Sequence, residues 1–221
     1  MGKPSREAVR NDCYKKLNFD LHLRTLCKKV NQKVSALARI VQILPFSKRH
    51  LILKTFIESQ FSYCPLVWMF CSNTMNNKIN HIHERALRLV YQDYSSTFDE
   101  LLNKDKSLCF HHRNIHQVAI EMFKVRHDLS PPFMKDIFRE IHRETRSGNT
   151  FLRPNVNTVK RGDKSLRSFG PIVWNMLPTS LKECESLDKF KASIKTWKPD
   201  DCPCNLCKPY IKELGYVDLF E

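Results

Sequence analysis

The apolar residues between Leu23 and Leu44 recur every three or four positions, and this spacing constrains the fold more than any other feature. They are Leu23, Leu26, Val30, Val34, Leu37, Val41 and Leu44. Such steps place side chains on one face of an α-helix. The pattern therefore predicts an amphipathic helix from Asn18 to Leu44, which Pro45 ends. Five glycines among 221 residues also favour a helix-rich chain.

Two more helices are predicted before residue 92. The first starts after Pro45 with Ser47 as its cap, runs until Pro65, and buries Leu51, Ile52, Leu53, Phe56 and Ile57. The second opens at Asn73 or Thr74 and turns Ile79, Ile82, Ala86, Leu89 and Val90 inward. Thr97 and Glu100 have the spacing of a capping box, which predicts a short fourth helix through Leu102.

The second half of the chain begins with a long helical pattern and then changes character. The inward stripe of the long helix is Ile115, Val118, Ala119, Met122 and Phe123. Ser130 to Pro132 should stop this helix and start a short one through Phe138. From Arg139 to Gly170, eight basic residues face three acidic ones. Glycine and proline punctuation there predicts short strands or a hairpin near Phe151 and Val156 to Lys160, turning at Arg161, Gly162 and Asp163.

Two further helices, near Ile172 to Leu177 and Ser186 to Trp197, complete a mainly α fold. We expect a helical bundle with a small β-hairpin region and a short Cys-bearing tail. The predicted organisation is an N-terminal segment 1–16, a helical domain 17–138, a basic hairpin with C-terminal helices 139–199, and the tail 200–221. Phe56, Phe61, Trp68, Phe123 and Trp174 lie on apolar stripes and are expected in the core.

The charge is strongly positive and uneven. The formal net charge is +14, and Met1 to Lys54 holds thirteen lysines and arginines against three acidic residues. Such a field favours a polyanion, with nucleic acid as the leading candidate. A solvated basic face without a partner is the alternative, and an anionic membrane surface is a weaker one.

The cysteines and hydropathy point to an intracellular protein, nuclear or cytoplasmic. Nine cysteines, an odd count, argue against a complete disulfide framework. No apolar run reaches the roughly 18 residues of a membrane span, and no apolar stretch follows Met1 as in a signal peptide. We therefore expect reduced thiols, no membrane partner and no small-molecule substrate.

Three close-set cysteines near the C-terminus are the main candidate metal ligands. Cys202, Cys204 and Cys207 form C-x-C-x-x-C, a soft ligand set that suits zinc. Three thiolates are one short of a closed tetrahedral site, so Cys184 or a second chain would have to supply the fourth ligand. The alternative is three ordinary thiols, and no cofactor is certain.

His112 and His116 share a helical face and could also hold zinc, with Cys109 nearby in sequence. Without an acidic residue between them, nothing points to hydrolysis. We expect two surface or hydrogen-bonded histidines instead.

Several blocks resemble the reverse transcriptases of LINE-type (non-LTR, jockey-like) retrotransposons, just after their catalytic palm. One block carries Ser62, Cys64, Val67 and Trp68, and the next carries Glu84, Arg85, Ala86, Leu87 and Arg88. Further blocks, in the order that this family has, are Leu17 to Ile40, His111 to Met134, Phe169 to Pro178, Ser186 to Pro199 and Cys202 to Cys207. Met1 to Lys16 does not match.

The resemblance implies the thumb and C-terminal part of an RNA-directed DNA polymerase from a transposable element. A thumb grips template and primer through their phosphates, so lysines and arginines on helix faces suffice. The expected contacts with RNA or an RNA–DNA hybrid are Lys28, Lys29, Lys33, Arg39, Lys48 and Arg49. A second expected set is Lys160, Arg161, Lys164 and Arg167. Arg85 and Arg88 could belong with them or pair with a buried carboxylate.

Catalytic chemistry is not expected in this chain. A reverse transcriptase binds two metal ions with palm carboxylates on strands. The Asp200–Asp201 pair lies between Pro199 and Cys202 without a flanking apolar strand, so it is not a catalytic dyad. Walker A, H-E-x-x-H and G-x-S-x-G motifs are absent from the sequence.

Two interpretations follow. The first is a fragment of a retrotransposon polymerase that binds nucleic acid and does not polymerise. The second is a host-adopted small helical module that binds another protein. In either case, loss of the palm would leave residues such as Leu26, Val30, Leu51 and Phe56 facing water.

Overall fold

A computed structural model describes residues 19–141, 150–152 and 165–197. The chain divides into two units, Met1–Phe110 and His111–Glu221. The described residues are mainly helical, which confirms the predicted fold class. None of their helices is long and apolar enough to cross a membrane.

The first unit is a set of helices joined by an irregular crossover. Its elements are α1 (Asp20–Ile40), a 3-10 turn (Val41–Ile43), α2 (Phe46–Ile52), a π-helical turn (Leu53–Ile57), a second 3-10 turn (Glu58–Phe61), α3 (Pro65–Trp68), α4 (Asn73–Tyr91) and α5 (Phe98–Asp105). The predicted α1, α4 and α5 are all confirmed. The inward stripe of α1 is buried at Leu23, Val30, Val34 and Leu37, whereas Leu26 is half-buried.

The predicted second helix was wrong in its cap and partly wrong in its buried face. Pro45, not Ser47, occupies the N-cap, and no side chain caps the helix. Leu53 is buried, whereas Leu51 and Phe56 are 53% and 60% exposed. The physical reason is that Leu53–Ile57 forms a π-helical turn, which breaks the regular helical period, so Ile57 and Glu58 lie inside while Phe56 lies outside.

Helices α4 and α5 begin at side-chain caps. Ser72 accepts a hydrogen bond from the backbone N–H of Met75, so α4 starts at Asn73 as predicted. Thr97 and Glu100 form the predicted capping box of α5, which continues to Asp105. All five predicted inward residues of α4 are buried. Local sequence signals therefore set both helix starts.

Helices α1 and α4 run side by side in the same direction. The Arg85 guanidinium donates to Asn31 Oδ1 at 2.9 Å and to Ser35 Oγ at 3.4 Å. Further along both helices, Gln92 donates to Gln42 at 3.3 Å. Residue numbers thus increase together on the two partners. Parallel neighbours need a crossover, and residues 41–72 provide it.

A buried ionic network holds that crossover in place. Lys54 Nζ donates to Glu58 Oε1 at 3.0 Å and to Asp105 Oδ2 at 2.7 Å. The other Asp105 oxygen contacts His50 Nε2 at 3.0 Å and accepts from the Tyr91 hydroxyl at 3.1 Å. Glu58 Oε1 also lies 3.2 Å from Nε2 of His83, which is fully buried. The network links α2 and the π turn to α4 and α5.

The pKa values of this network follow from its contacts. Burial raises the pKa of the Asp105 carboxyl, but the hydrogen bonds from Lys54 and Tyr91 help to lower it to a net value below the usual range. Burial, followed by the Asp105 charge and hydrogen bond, raises the pKa of Tyr91 to about 12. Asp105 therefore stays ionised and Tyr91 stays a neutral donor near pH 7.

Asp105→Asn should lower the free energy of unfolding by about 2–3 kcal/mol at neutral pH, because it leaves Lys54 short of a carboxylate in a partly buried site. Since the folded pKa of Asp105 is lowered, its ionic contribution is complete above the ordinary carboxyl pKa of about 3.9 and is lost as the pH falls below that value. Urea unfolding at about pH 7 and about pH 3 should show the difference between wild type and variant shrinking at low pH. Asp188→Asn, at an exposed site in the second unit, is the control, and an equal effect there would contradict the network's role.

The second unit packs later helices around aromatic residues. Its elements are α6 (Phe110–Arg126, which begins at the unit boundary), α7 (Phe133–Ile137), β1 (Glu140–Ile141), β2 (Thr150–Phe151), α8 (Leu166–Met176), α9 (Thr179–Lys182) and α10 (Leu187–Ile194). The predicted stripe of α6 is buried at all five positions. The short helix α9 was not predicted.

The strand prediction has a mixed outcome. Phe151 lies in β2, but it pairs with Glu140 of β1 in a two-residue antiparallel ladder. The predicted partners Val156 to Lys160 and the turn at Arg161 to Asp163 lie outside the described residues. The predicted hairpin therefore stays a prediction.

A stack of rings forms the centre of the second unit. The Phe190 ring lies between Phe123 and Trp174, with centroid distances of 4.5 and 6.2 Å. Gly170 of α8 packs beside this core. A Cβ atom at Gly170 would lie 2.6 Å from the Met122 sulfur and 3.2 Å from Phe138 Cε1. A side chain at this position therefore requires Met122 to shift.

Gly170→Ala should destabilise the second unit, because overpacking at a buried site costs about 1–3 kcal/mol while alanine regains about 1 kcal/mol of helix propensity. Differential scanning calorimetry should show a lower Tm. A second change, Met122→Ala, makes room for the added methyl group, so the double variant should lose less than the sum of the two single changes. Strict additivity would contradict this packing.

Candidate nucleic-acid interface

Helices α1 and α4 leave an open groove of about 800 Å³ between them. Its α1 wall consists of Arg24, Cys27, Lys28 and Asn31, and its α4 wall consists of Thr74, Asn77, Lys78, His81, Ile82 and Arg85. Helical spacing explains this arrangement, since residues three or four apart share a face. All the lining residues belong to the first unit. We call this feature the α1–α4 groove.

The floor of the groove is apolar and its rims are cationic. Cys27 is fully buried and Ile82 is 6% exposed, whereas Lys28, Lys78 and Arg85 are exposed. Burial raises the pKa of the Cys27 thiol although the nearby Lys78 charge opposes it. The thiol is therefore neutral near pH 7 and serves as packing rather than as a nucleophile.

The cations of the groove lack carboxylate partners. Among the described residues, neither Arg24 nor Lys28 nor Lys78 forms an ion pair, and Arg85 hydrogen-bonds the neutral Asn31 and Ser35. The ten lining residues include no carboxylate. Glu84, next to Arg85 in the chain, is held by Arg88 at 2.7 Å, and His81 lies 3.6 Å from its other oxygen. Four permanent positive charges therefore converge on one groove.

The start of α4 adds to this positive field. Thr74, in the first turn of α4, lines the groove, and a helix N-terminus carries partial positive charge within its first turn. The α1 lining begins at Arg24, beyond a first turn that carries Asp20, so α1 contributes through its side chains.

The six residues of the first predicted contact set lie in different places on the first unit. Lys28 lines the groove, and Arg39 continues the same strip of α1 about two helical turns beyond Asn31. Lys29 and Lys48 are exposed elsewhere. The two remaining residues of the set, Lys33 and Arg49, are less exposed.

Lys33 and Arg49 are engaged or partly enclosed by the first unit. Lys33 Nζ donates to the Phe56 carbonyl at 3.2 Å, which ties α1 to the π turn. Arg49 is half-buried, and its Nε and Nη1 atoms are buried without a hydrogen-bond partner. Lys33 thus has a structural contact, and Arg49 is not a freely exposed cation.

Sequence reasoning missed Lys78 and His81 on the α4 side of the groove and left the role of Arg85 open. Lys78, His81 and Arg85 follow one another at steps of three and four, which would have identified a basic strip on α4. For Arg85, the sequence left open a buried carboxylate partner, and the structure shows polar neutral partners instead. This strip forms a wall of the groove only because α1 lies beside it.

The second predicted set is mostly beyond the part of the chain that the structure describes. Arg167 is exposed on α8. Lys160, Arg161 and Lys164 lie outside the described residues, so their arrangement stays a prediction.

The described residues contain no candidate set of metal ligands. No group of three or more His, Cys, Asp or Glu side chains in residues 19–141, 150–152 and 165–197 could hold a metal ion. Cys202, Cys204 and Cys207 lie outside those ranges. Cys184, the candidate fourth ligand, is a free thiol whose Sγ lies 3.6 Å from the Ser180 carbonyl.

His116 is hydrogen-bonded, as expected. Its Nε2–H donates to the Trp197 carbonyl at 2.7 Å. Burial lowers the pKa of His116, and this hydrogen bond only partly opposes the effect. The Trp197 ring is half-buried beside it, with a centroid distance of 5.9 Å. His116 and Trp197 therefore pack the second unit.

Comparisons with known proteins give no relative on which to base a function. No family model, curated protein or solved structure matches this chain. The function must therefore be inferred from the groove, the charge and the sequence blocks themselves.

Removing charges from the groove should stabilise the first unit slightly, because like charges repel one another. Lys28→Gln with Lys78→Gln should raise the free energy of unfolding by roughly 0.5 kcal/mol at low salt. About 1 M NaCl screens the repulsion and should abolish the gain. Lys29→Gln with Lys48→Gln is the matched control, and a loss of stability confined to the groove variant would contradict the uncompensated charge.

Proposed function

We propose that this chain is the thumb and C-terminal part of a LINE-type reverse transcriptase and binds RNA or RNA–DNA hybrids without polymerising. The observation that carries the proposal is the α1–α4 groove, in which four permanent cations converge without a carboxylate partner. Proteins usually compensate clustered charge, so an uncompensated cluster is typical of a site for a polyanion. In this proposal the protein works inside the cell, in the nucleus or cytoplasm.

The blocks that resemble reverse transcriptases coincide with the walls and supports of the groove. Leu17 to Ile40 covers α1, and Glu84 to Arg88 lies in α4. Within the second block, Ala86 and Leu87 are fully buried while Arg85 faces the groove. One short block thus contributes both to the core and to the charged rim, which supports a shared role.

The Ser62 to Trp68 block lies in the crossover. Trp68 is 5% exposed, and its indole N–H donates to the Tyr63 carbonyl at 3.0 Å. Pro65 begins α3, and Cys64 before it has a left-handed backbone with φ of 46°. This tight turn ends the crossover and brings the chain to the start of α4.

Nucleic-acid binding is tested with the whole chain and two fluorescent probes, a single-stranded RNA and an RNA–DNA hybrid, and binding of either probe supports the proposal. We expect affinity to fall steeply between about 50 and about 200 mM salt, because phosphate contacts release counterions. A folded protein of similar size and net charge is the control for nonspecific attraction and should bind more weakly. No binding, or binding equal to that control, would contradict the proposal, and so would DNA synthesis in a primer-extension assay with Mg²⁺.

A protein–protein module is the second candidate, and the exposed apolar residues of the crossover favour it. Ile43, Leu51 and Phe56 are 80%, 53% and 60% exposed. Large exposed apolar side chains that form a contiguous patch often mark interaction surfaces, and these three lie within fourteen residues of the crossover. A partner that wild type captures after nuclease treatment, and that Leu51→Ser with Phe56→Ser loses, would favour this function over nucleic-acid binding.

A further inference from the structure

We propose that the α1–α4 groove holds one single strand of nucleic acid lengthwise, with its phosphates between the two helices. This proposal rests on the proposed function and adds which form of nucleic acid the groove takes and how it lies. The groove follows the helix axes, because its lining residues advance together from Arg24 to Asn31 on α1 and from Thr74 to Arg85 on α4.

The spacing of the cations suits one strand. Lys78, His81 and Arg85 succeed one another about once per helical turn, so they extend over about 10 Å of α4. Arg24 and Lys28 lie one turn apart on the facing wall. These steps are comparable to the distance between neighbouring phosphates of an extended strand, so about three phosphates can each meet a cation.

The width of the groove disfavours a duplex. Packed helices lie about 8–10 Å apart, so the charges of both walls point to one line between them. A single backbone on that line meets both walls at once. A double helix is wider than the groove and would reach the cations of the rims only from outside.

The lining residues also predict whether binding depends on the base sequence. None of the ten lining residues is Phe, Tyr or Trp, so the groove offers no stacking platform of the usual single-strand binders. Asn31 is occupied by Arg85, and the floor of Cys27 and Ile82 is apolar. Binding should therefore depend on phosphates and tolerate any base sequence.

Fluorescence anisotropy with a labelled eight-nucleotide oligo-U and a blunt RNA duplex of the same length tests the proposal on the whole chain. Wild type should bind the single strand at least tenfold more tightly than the duplex. With about three phosphates neutralised, single-strand affinity should fall about 20-fold between about 50 and 200 mM salt. Lys78→Gln with Arg85→Gln removes two of the four groove cations, leaves at most about two phosphates neutralised and should reduce that fall to about 7-fold.

Lys106→Gln with Lys195→Gln removes the same charge from exposed positions outside the groove and outside both predicted contact sets, and should keep the wild-type salt dependence. Circular dichroism confirms that both variants remain helical. Equal losses in the two variants, or tighter binding of the duplex, would overturn the groove proposal while nucleic-acid binding stands. Failure of wild type to bind any nucleic-acid probe would overturn the proposed function itself.

Discussion

The salt bridge from Lys54 to Asp105 and Glu58 is the interaction on which the first unit depends. The crossover between α1 and α4 contains a π turn, two 3-10 turns and a left-handed residue, so its backbone alone does not fix its path. Lys54 joins a carboxylate at the end of α5 to one inside the crossover, at 2.7 and 3.0 Å. Glu58 then meets the buried His83 of α4. Lys33 of α1 adds one further polar contact to the crossover, to the Phe56 carbonyl at 3.2 Å.

The network has an energetic cost as well as a benefit. Taking Asp105 and Glu58 out of water is unfavourable unless every charge finds partners. Lys54, His50 and Tyr91 supply them for Asp105. A buried ionic network of this kind stabilises the fold less than it specifies one arrangement, because any other path of the crossover would leave a buried charge unpaired. The parallel placement of α1 and α4, and hence the groove, follows from that path.

The groove cations of the first unit differ from its interior charges, because they have no described carboxylate partner. In the interior, each described carboxylate of the network contacts a cation or a histidine, whereas Arg24, Lys28 and Lys78 in the groove have no described carboxylate. Like charges that lie close together lower stability, and in the α1–α4 groove this loss is not compensated by a described carboxylate. A site that binds phosphates gives a physical reason for it.

Local patterns predicted the helices, whereas the site needed tertiary structure. The buried stripes of α4 and α6, the capping box at Thr97 and the short helix after Pro132 depend on residues within a few turns. The inward Glu58 and the outward Phe56 depend on Lys54 and His83, which no local pattern reveals. Likewise, the sequence placed Lys28 among six candidate contacts, but only the parallel pairing of α1 with α4 shows that Lys78 and Arg85 belong with it. The Cys202 to Cys207 cluster lies outside the described residues and stays a prediction.

Lysine footprinting tests the central claim most directly, because one experiment compares groove and non-groove lysines in the same molecule. The protein is acetylated with and without saturating single-stranded RNA, and the modification of each lysine is measured by mass spectrometry. Our account predicts that RNA protects Lys28 and Lys78 and leaves Lys29 and Lys48 reactive. Protection of Lys29 and Lys48 instead, or equal modification of all four with RNA bound, would contradict it.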